Sequence, residues 1–165
     1  MLRDAHPGIG RVVLVGQAPC CGGDPRVPLT GRSGRFLASA CGIPFWSYLR
    51  WTVRVNLLDY WPGKSGKGDA FPMAEAREAA AALEPSLKGR RAVLLGHGVA
   101  SAFGLGGRPY LGPWEVVPRP LGSFAAAVLP HPSGVNRFWN DPTNRERAGR
   151  FLRSAILPAR DRRAA

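Results

Sequence analysis

Arg11-Val12-Val13-Leu14-Val15-Gly16-Gln17-Ala18-Pro19-Cys20 is the stretch that decides the fold. A branched apolar run closed by glycine reads as a strand covered on both faces, which needs no polar alternation, and the residues after it as a loop at its carboxyl end. Working outward, the pattern recurs at Thr52 to Leu58, Ala92 to Leu95 and Phe124 to Leu129. Helical stretches separate these runs. Ser33 to Ala40 is entered through Gly31-Arg32-Ser33-Gly34 and stopped by Gly42, and Met73 to Leu83 is rich in Ala and Glu behind Pro72, a residue suited to a first turn. Gly96-His97-Gly98 reads as a turn into a short helix over Val99 to Phe103. Thr143 to Ile156 is amphipathic, with Asn140, Asp141 or Thr143 as candidate caps. Repeated strand-helix alternation predicts a three-layer α/β/α domain around a mainly parallel four-stranded sheet.

The 165 residues suffice for one domain with a real core, assigned to 1–156, and 157–165 reads as a basic flexible tail. Hydrophobic residues make up 45% and charged ones 21%, a globular balance, and no apolar run approaches the roughly 20 residues of a membrane span. With no leader pattern at the start, a cytoplasmic protein without membrane partners is expected. Cys20, Cys21 and Cys41 match neither a disulfide framework nor a four-ligand metal spacing, so neither metal nor cofactor is expected. The formal net charge of +12 sets up a field that attracts polyanions, of which nucleic acid is the commonest in a cytosol, although an Arg-rich composition can also arise without a selected partner. Pro62 to Asp69 is turn-rich and basic and reads as an exposed loop.

Two segments carry the chemistry. Gly16-Gln17-Ala18-Pro19-Cys20 follows the first strand and His131-Pro132-Ser133-Gly134 follows the last, so both belong at the carboxyl ends of strands, where open α/β sheets place their sites. Phe45, Trp46, Tyr48 and Trp51 read as core in preference to a stacking platform, and Trp139 as an anchor for the last helix.

With these motifs placed, the chain resembles the uracil-DNA glycosylase superfamily over most of its length. Gly16-Gln17-Ala18-Pro19 is similar to that superfamily's Gly-Gln/Glu-x-Pro loop. Pro28-Leu29-Thr30-Gly31-Arg32-Ser33-Gly34 is similar to the Pro-Phe-x-Gly-x-x-Gly block of the thermostable bacterial and archaeal branch. Val55-Asn56-Leu57-Leu58 falls where those enzymes carry a base-reading Asn, Leu94-Leu95-Gly96 with Val99-Ala100 resembles their Leu-Gly-x-x-Ala turn, and His131-Pro132-Ser133 matches their His-Pro-Ser signature. The pattern differs in three places. No Cys pair precedes the first motif and Tyr60 stands near a ligand position, which implies no iron-sulfur cluster; Leu29 replaces the stacking aromatic; and Gln17-Ala18 stands where relatives hold a water-positioning carboxylate.

The resemblance implies a monofunctional DNA glycosylase that hydrolyses the N-glycosidic bond of uracil or a related modified pyrimidine, working as a monomer on single-stranded DNA or on a duplex with a flipped base, and releasing the free base. It assigns catalysis to His131 as donor to the departing base, Asn56 as base reader and Gln17 as water-orienting amide, with backbone N–H groups of Gln17 and Ala18 assisting. Gly16, Ala18, Pro19 and Leu29 line the base pocket. Arg32, Ser33, Ser133, Gly134, Val135, Asn136 and Arg137 contact DNA, Val135 as a wedge, joined by Lys64 and Lys67 on phosphate. Asp24 and Asp59 are the acidic candidates for the missing carboxylate. The other reading is a base-flipping DNA-binding protein that reads a modified base with weak or no hydrolysis.

Overall fold

A computed structural model describes residues 12–66, 68–134 and 136–157 of the chain. Its elements run β1 Val12–Gly16, α1 Arg32–Ala40, α2 Phe45–Trp51, β2 Thr52–Asn56, the short strands β3 Lys64–Ser65 and β4 Gly68–Asp69, α3 Met73–Leu87, β5 Arg91–Leu95, α4 His97–Ala102, β6 Glu115–Val117, β7 Phe124–Leu129, a 3-10 turn Arg137–Asn140 and α5 Pro142–Ile156. The central sheet has the order β2-β1-β5-β7-β6. Its first four strands are parallel, and β6 pairs antiparallel with β7.

The sheet therefore has five strands, where the sequence predicts four. The fifth, β6, is three residues long in a Gly- and Pro-rich stretch, too short for any periodicity to show. Helix α2 is likewise an addition: its seven residues carry four aromatics, Phe45, Trp46, Tyr48 and Trp51, a composition without strong helical preference. Tyr48 is fully buried, whereas Trp46 stands out into solvent. Helix α3 runs one turn beyond Leu83 through Pro85, drawn on by the fully buried Leu87.

Burial along β1 shows why the layers form. All of Val12 to Val15 are out of contact with water, and successive side chains point to opposite faces. Val12 and Leu14 join Val93, Leu95 and Leu129 against α1, α2 and α5, while Val13 and Val15 join Ala92, Leu94 and Val128 against α3 and α4. Each fully buried aliphatic contributes about 1.5–3 kcal/mol. Helix α5 is capped by Asp141, whose Oδ1 accepts from the N–H of Thr143 at 2.8 Å, and Pro142 opens it. Gly149 of α5 meets the Ala40 carbonyl so closely that no Cβ fits between them. Leu157, assigned by sequence to the tail, is buried with this core, and 158–165 lie outside the described residues.

Topology places the site. Strands β1 and β5 are neighbours, and the chain leaves β1 toward the α1 face but leaves β5 toward the α4 face. Such a switch point at the carboxyl edge of the sheet is where open α/β sheets carry a ligand-binding crevice.

Candidate functional site

The two central strands both run into glycine at this edge. Gly16 ends β1, and a Cβ there would collide with Oδ1 of Asn56 and sit 3.4 Å from the Leu29 side chain. Gly96 follows β5 with φ of 100°, and a Cβ there would lie 3.2 Å from the Cβ of His131. Asn56, ending β2, thus leans in over Gly16, and His131, just past β7, leans in over Gly96. Their strands are three inter-strand steps apart, roughly 14 Å at about 4.8 Å each. Between them the floor carries no side chain at either glycine.

The chain beyond each strand is fixed by local bonds. The N–H of Leu57 donates to the Gly16 carbonyl and that of Leu58 to the Gln17 carbonyl, both at 3.0 Å, so the segment after Asn56 travels with the first motif loop. Gln17 Nε2 donates to the Ala70 carbonyl at 3.1 Å. Leu29 holds a left-handed backbone, φ 56°, which costs a non-glycine residue about 1–3 kcal/mol. Tyr48 Oη donates to its carbonyl at 3.1 Å, and Gly34 lets that carbonyl approach α1. This posture delivers the Leu29 side chain to Gly16.

Beyond His131, the carbonyl of that residue accepts from Trp139 Nε1 at 2.9 Å and from Asn136 Nδ2 at 3.2 Å, and Asn136 Oδ1 accepts from the N–H of Phe138. The side chain of Asn136 is thereby committed to shaping the loop, and Trp139, buried and edge-on to Phe36, anchors it.

Two features give the crevice its chemistry. Asn56 Oδ1 is buried and has no hydrogen-bond partner. A buried amide acceptor left unpaired costs about 1–3 kcal/mol. The imidazole of His131 is mostly buried, and burial pushes its pKa below the ordinary histidine value while Asp69 pulls it the other way. Near neutral pH the ring is therefore uncharged, with one N–H to donate.

The other sequence-derived positions fall as follows. Ala18, Pro19, Ser33 and Ser133 are half-buried around the motif loops, and Arg32, Gly134 and Arg137 are exposed. Arg32 and Ser33 open α1, whose N-terminal Gly31 offers no side-chain cap. Val135 and Lys67 lie outside the described residues. Asp24 is exposed and chelates Arg26, and Asp59 is exposed on the loop after β2. Lys64 pairs with Asp69 at 2.7 Å. Among the described residues no three of His, Cys, Asp and Glu gather to hold a metal ion; Cys20 and Cys21 are exposed, and the buried Cys41 thiol is pushed up to about 12 by desolvation.

Sequence reasoning missed the β3–β4 hairpin, which it reads as an exposed loop. The hairpin folds back so that Ala70 holds Gln17, Phe71 packs on Gly98 of α4, and Asp69 acts on His131. Its Gly-Lys-rich turn signals a reversal of the chain, but nothing local says where the reversed strand returns. No helix of the described residues is long and apolar enough to cross a membrane. Compared with known proteins, the chain is matched by no family model and by no curated protein.

Proposed function

We propose that this protein is a DNA glycosylase with a uracil-DNA glycosylase-like fold, hydrolysing the N-glycosidic bond of uracil or a related modified pyrimidine in DNA. The observation that carries the reading is the pairing across the crevice: a buried, unsatisfied Asn56 oxygen on one side, a mostly buried His131 on the other, and two strand-end glycines beneath.

The chemistry follows from what each group offers. Uracil presents an N3–H flanked by carbonyl oxygens, so Asn56 Oδ1 accepts the N3–H while Nδ2 donates to O4. Cytosine carries no proton at N3 and would leave that oxygen unpaired, a cost that rejects it. As the glycosidic bond breaks, negative charge gathers on the base, and the neutral His131 ring donates an N–H to the oxygen that gains it, assisted by backbone N–H groups of Gln17 and Ala18. Leu29 covers the ring with aliphatic contact instead of an aromatic face. Gln17, its Nε2 held by Ala70, presents Oε1 to orient water. Because the target atom is inaccessible inside a duplex, the nucleotide must be extruded or single-stranded. Arg32 and Ser33, on the chain after β1, and Ser133, Gly134 and Arg137, on the chain after β7, supply phosphate contacts that position the strand.

The test is release of free base from single- and double-stranded oligonucleotides carrying uracil, hydroxymethyluracil, hypoxanthine or xanthine, scored by alkaline scission at the abasic site. Release that Asn56→Ala and His131→Ala each cut by about tenfold or more supports the reading. Tight, uracil-dependent binding with no abasic product would replace it with the base-flipping reader.

A further inference from the structure

We propose that Asp69, on the hairpin that closes over the motif loops, is the carboxylate of the hydrolytic step, standing in space where Gln17-Ala18 leaves none in sequence. The assignment rests on the glycosylase reading. Water attacking the sugar needs an acceptor for its proton, and the cationic sugar needs a nearby negative charge; an amide such as Gln17 supplies neither.

Exposure and pairing do not set Asp69 apart from the other described carboxylates near the motifs, because it is itself exposed and paired with Lys64. Asp24 chelates Arg26, Glu75 accepts from Tyr60 Oη, Asp141 caps α5, and Asp59 is exposed. Asp69 differs in where its neighbours are. The next carbonyl, of Ala70, holds the Gln17 amide at 3.1 Å, and the following side chain, Phe71, seats against Gly98, two residues after the Gly96 that His131 packs on. Asp69 and His131 act on each other electrostatically. Lys64 Nζ at 2.7 Å and Trp61 Nε1 at 3.3 Å both donate to Oδ1, which fixes the carboxylate plane and keeps the group ionised. Oδ2 is the oxygen that accepts from water.

The step balances without a further reactant. The C1′–N bond breaks with its electron pair leaving on the base, the water oxygen bonds to C1′, and the water proton passes to Asp69 Oδ2 and then to solvent. The departing base, held as an anion by the His131 N–H, is protonated by solvent.

Asp69→Asn is near-isosteric and sits on a part-exposed hairpin, so it should melt with the wild type. It should also keep wild-type affinity for an oligonucleotide bearing 2′-fluoro-2′-deoxyuridine, whose glycosidic bond resists cleavage. Single-turnover base release should fall by about 10²–10⁴-fold. Recovery of part of that loss in Gln17→Asp/Asp69→Asn would add support, because a purely structural role for Asp69 would not be restored by a carboxylate at position 17. An Asp69→Asn protein that releases base at the wild-type rate overturns the assignment and leaves the glycosylase reading standing. A wild type that releases no base from any oligonucleotide overturns both.

Discussion

Gly16 is the residue on which the geometry of the crevice turns. A methyl group there would drive into the Asn56 amide, so Gly16→Ala should force that side chain out of the crevice and cut uracil excision at least as severely as Asn56→Ala. For Asn56→Ala the loss of a buried polar contact predicts roughly a ten- to hundredfold fall in excision, measured on single-turnover release. His131 makes a prediction about pH. Burial sets its folded-state pKa below the unfolded value of 6.5, so on acidification the unfolded chain takes up the proton first. Stability is then full above about 6.5 and falls as pH drops through and below it. Thermal melts from pH 8 to pH 5 should show this decline in the wild type and a flatter profile in His131→Asn. The motifs at this scale are legible in sequence because glycine, asparagine and histidine at strand ends are distinctive. The hairpin's Asp69 is not, since an aspartate in a Gly-Lys turn looks like any solvated turn residue.

Elements follow the same division. Strands β1, β5 and β7 are readable from their apolar runs, and α5 from its 3.6-residue pattern and cap; Asp141, one of three candidates, is the one whose side chain bonds the first turn. Replacing it with Ala should remove about 1 kcal/mol and lower the melting temperature by roughly 2–4 °C in a domain of this size. Strand β6 and helix α2 escape sequence reading for a physical reason: each is short, and tertiary packing decides its state. Val117 is buried under the sheet edge, and Tyr48 is pinned by its bond to the Leu29 carbonyl. Local propensity carries little information where a single buried side chain settles the outcome.

At the scale of the whole molecule, the excess of Lys and Arg gives a field that does not depend on the crevice. If the strand is held by phosphate contacts, affinity should fall linearly on a log-log plot against salt, and Arg137→Ala should weaken binding for all sequences alike and reduce the slope by about 0.7–0.9. Fluorescence anisotropy across a salt series measures it, and an unchanged slope removes Arg137 from the phosphate path. The carbonyl of His131 is moored by Trp139 and Asn136, and Trp139 in turn abuts Phe36 near the other end of the chain. The imidazole therefore takes its aim from residues synthesised after it and from a helix made long before. During translation the crevice can acquire its donor only once the segment through Trp139 has emerged and docked, so a ribosome-stalled fragment ending at Ser133 would carry the signature residues yet lack a working arrangement of them.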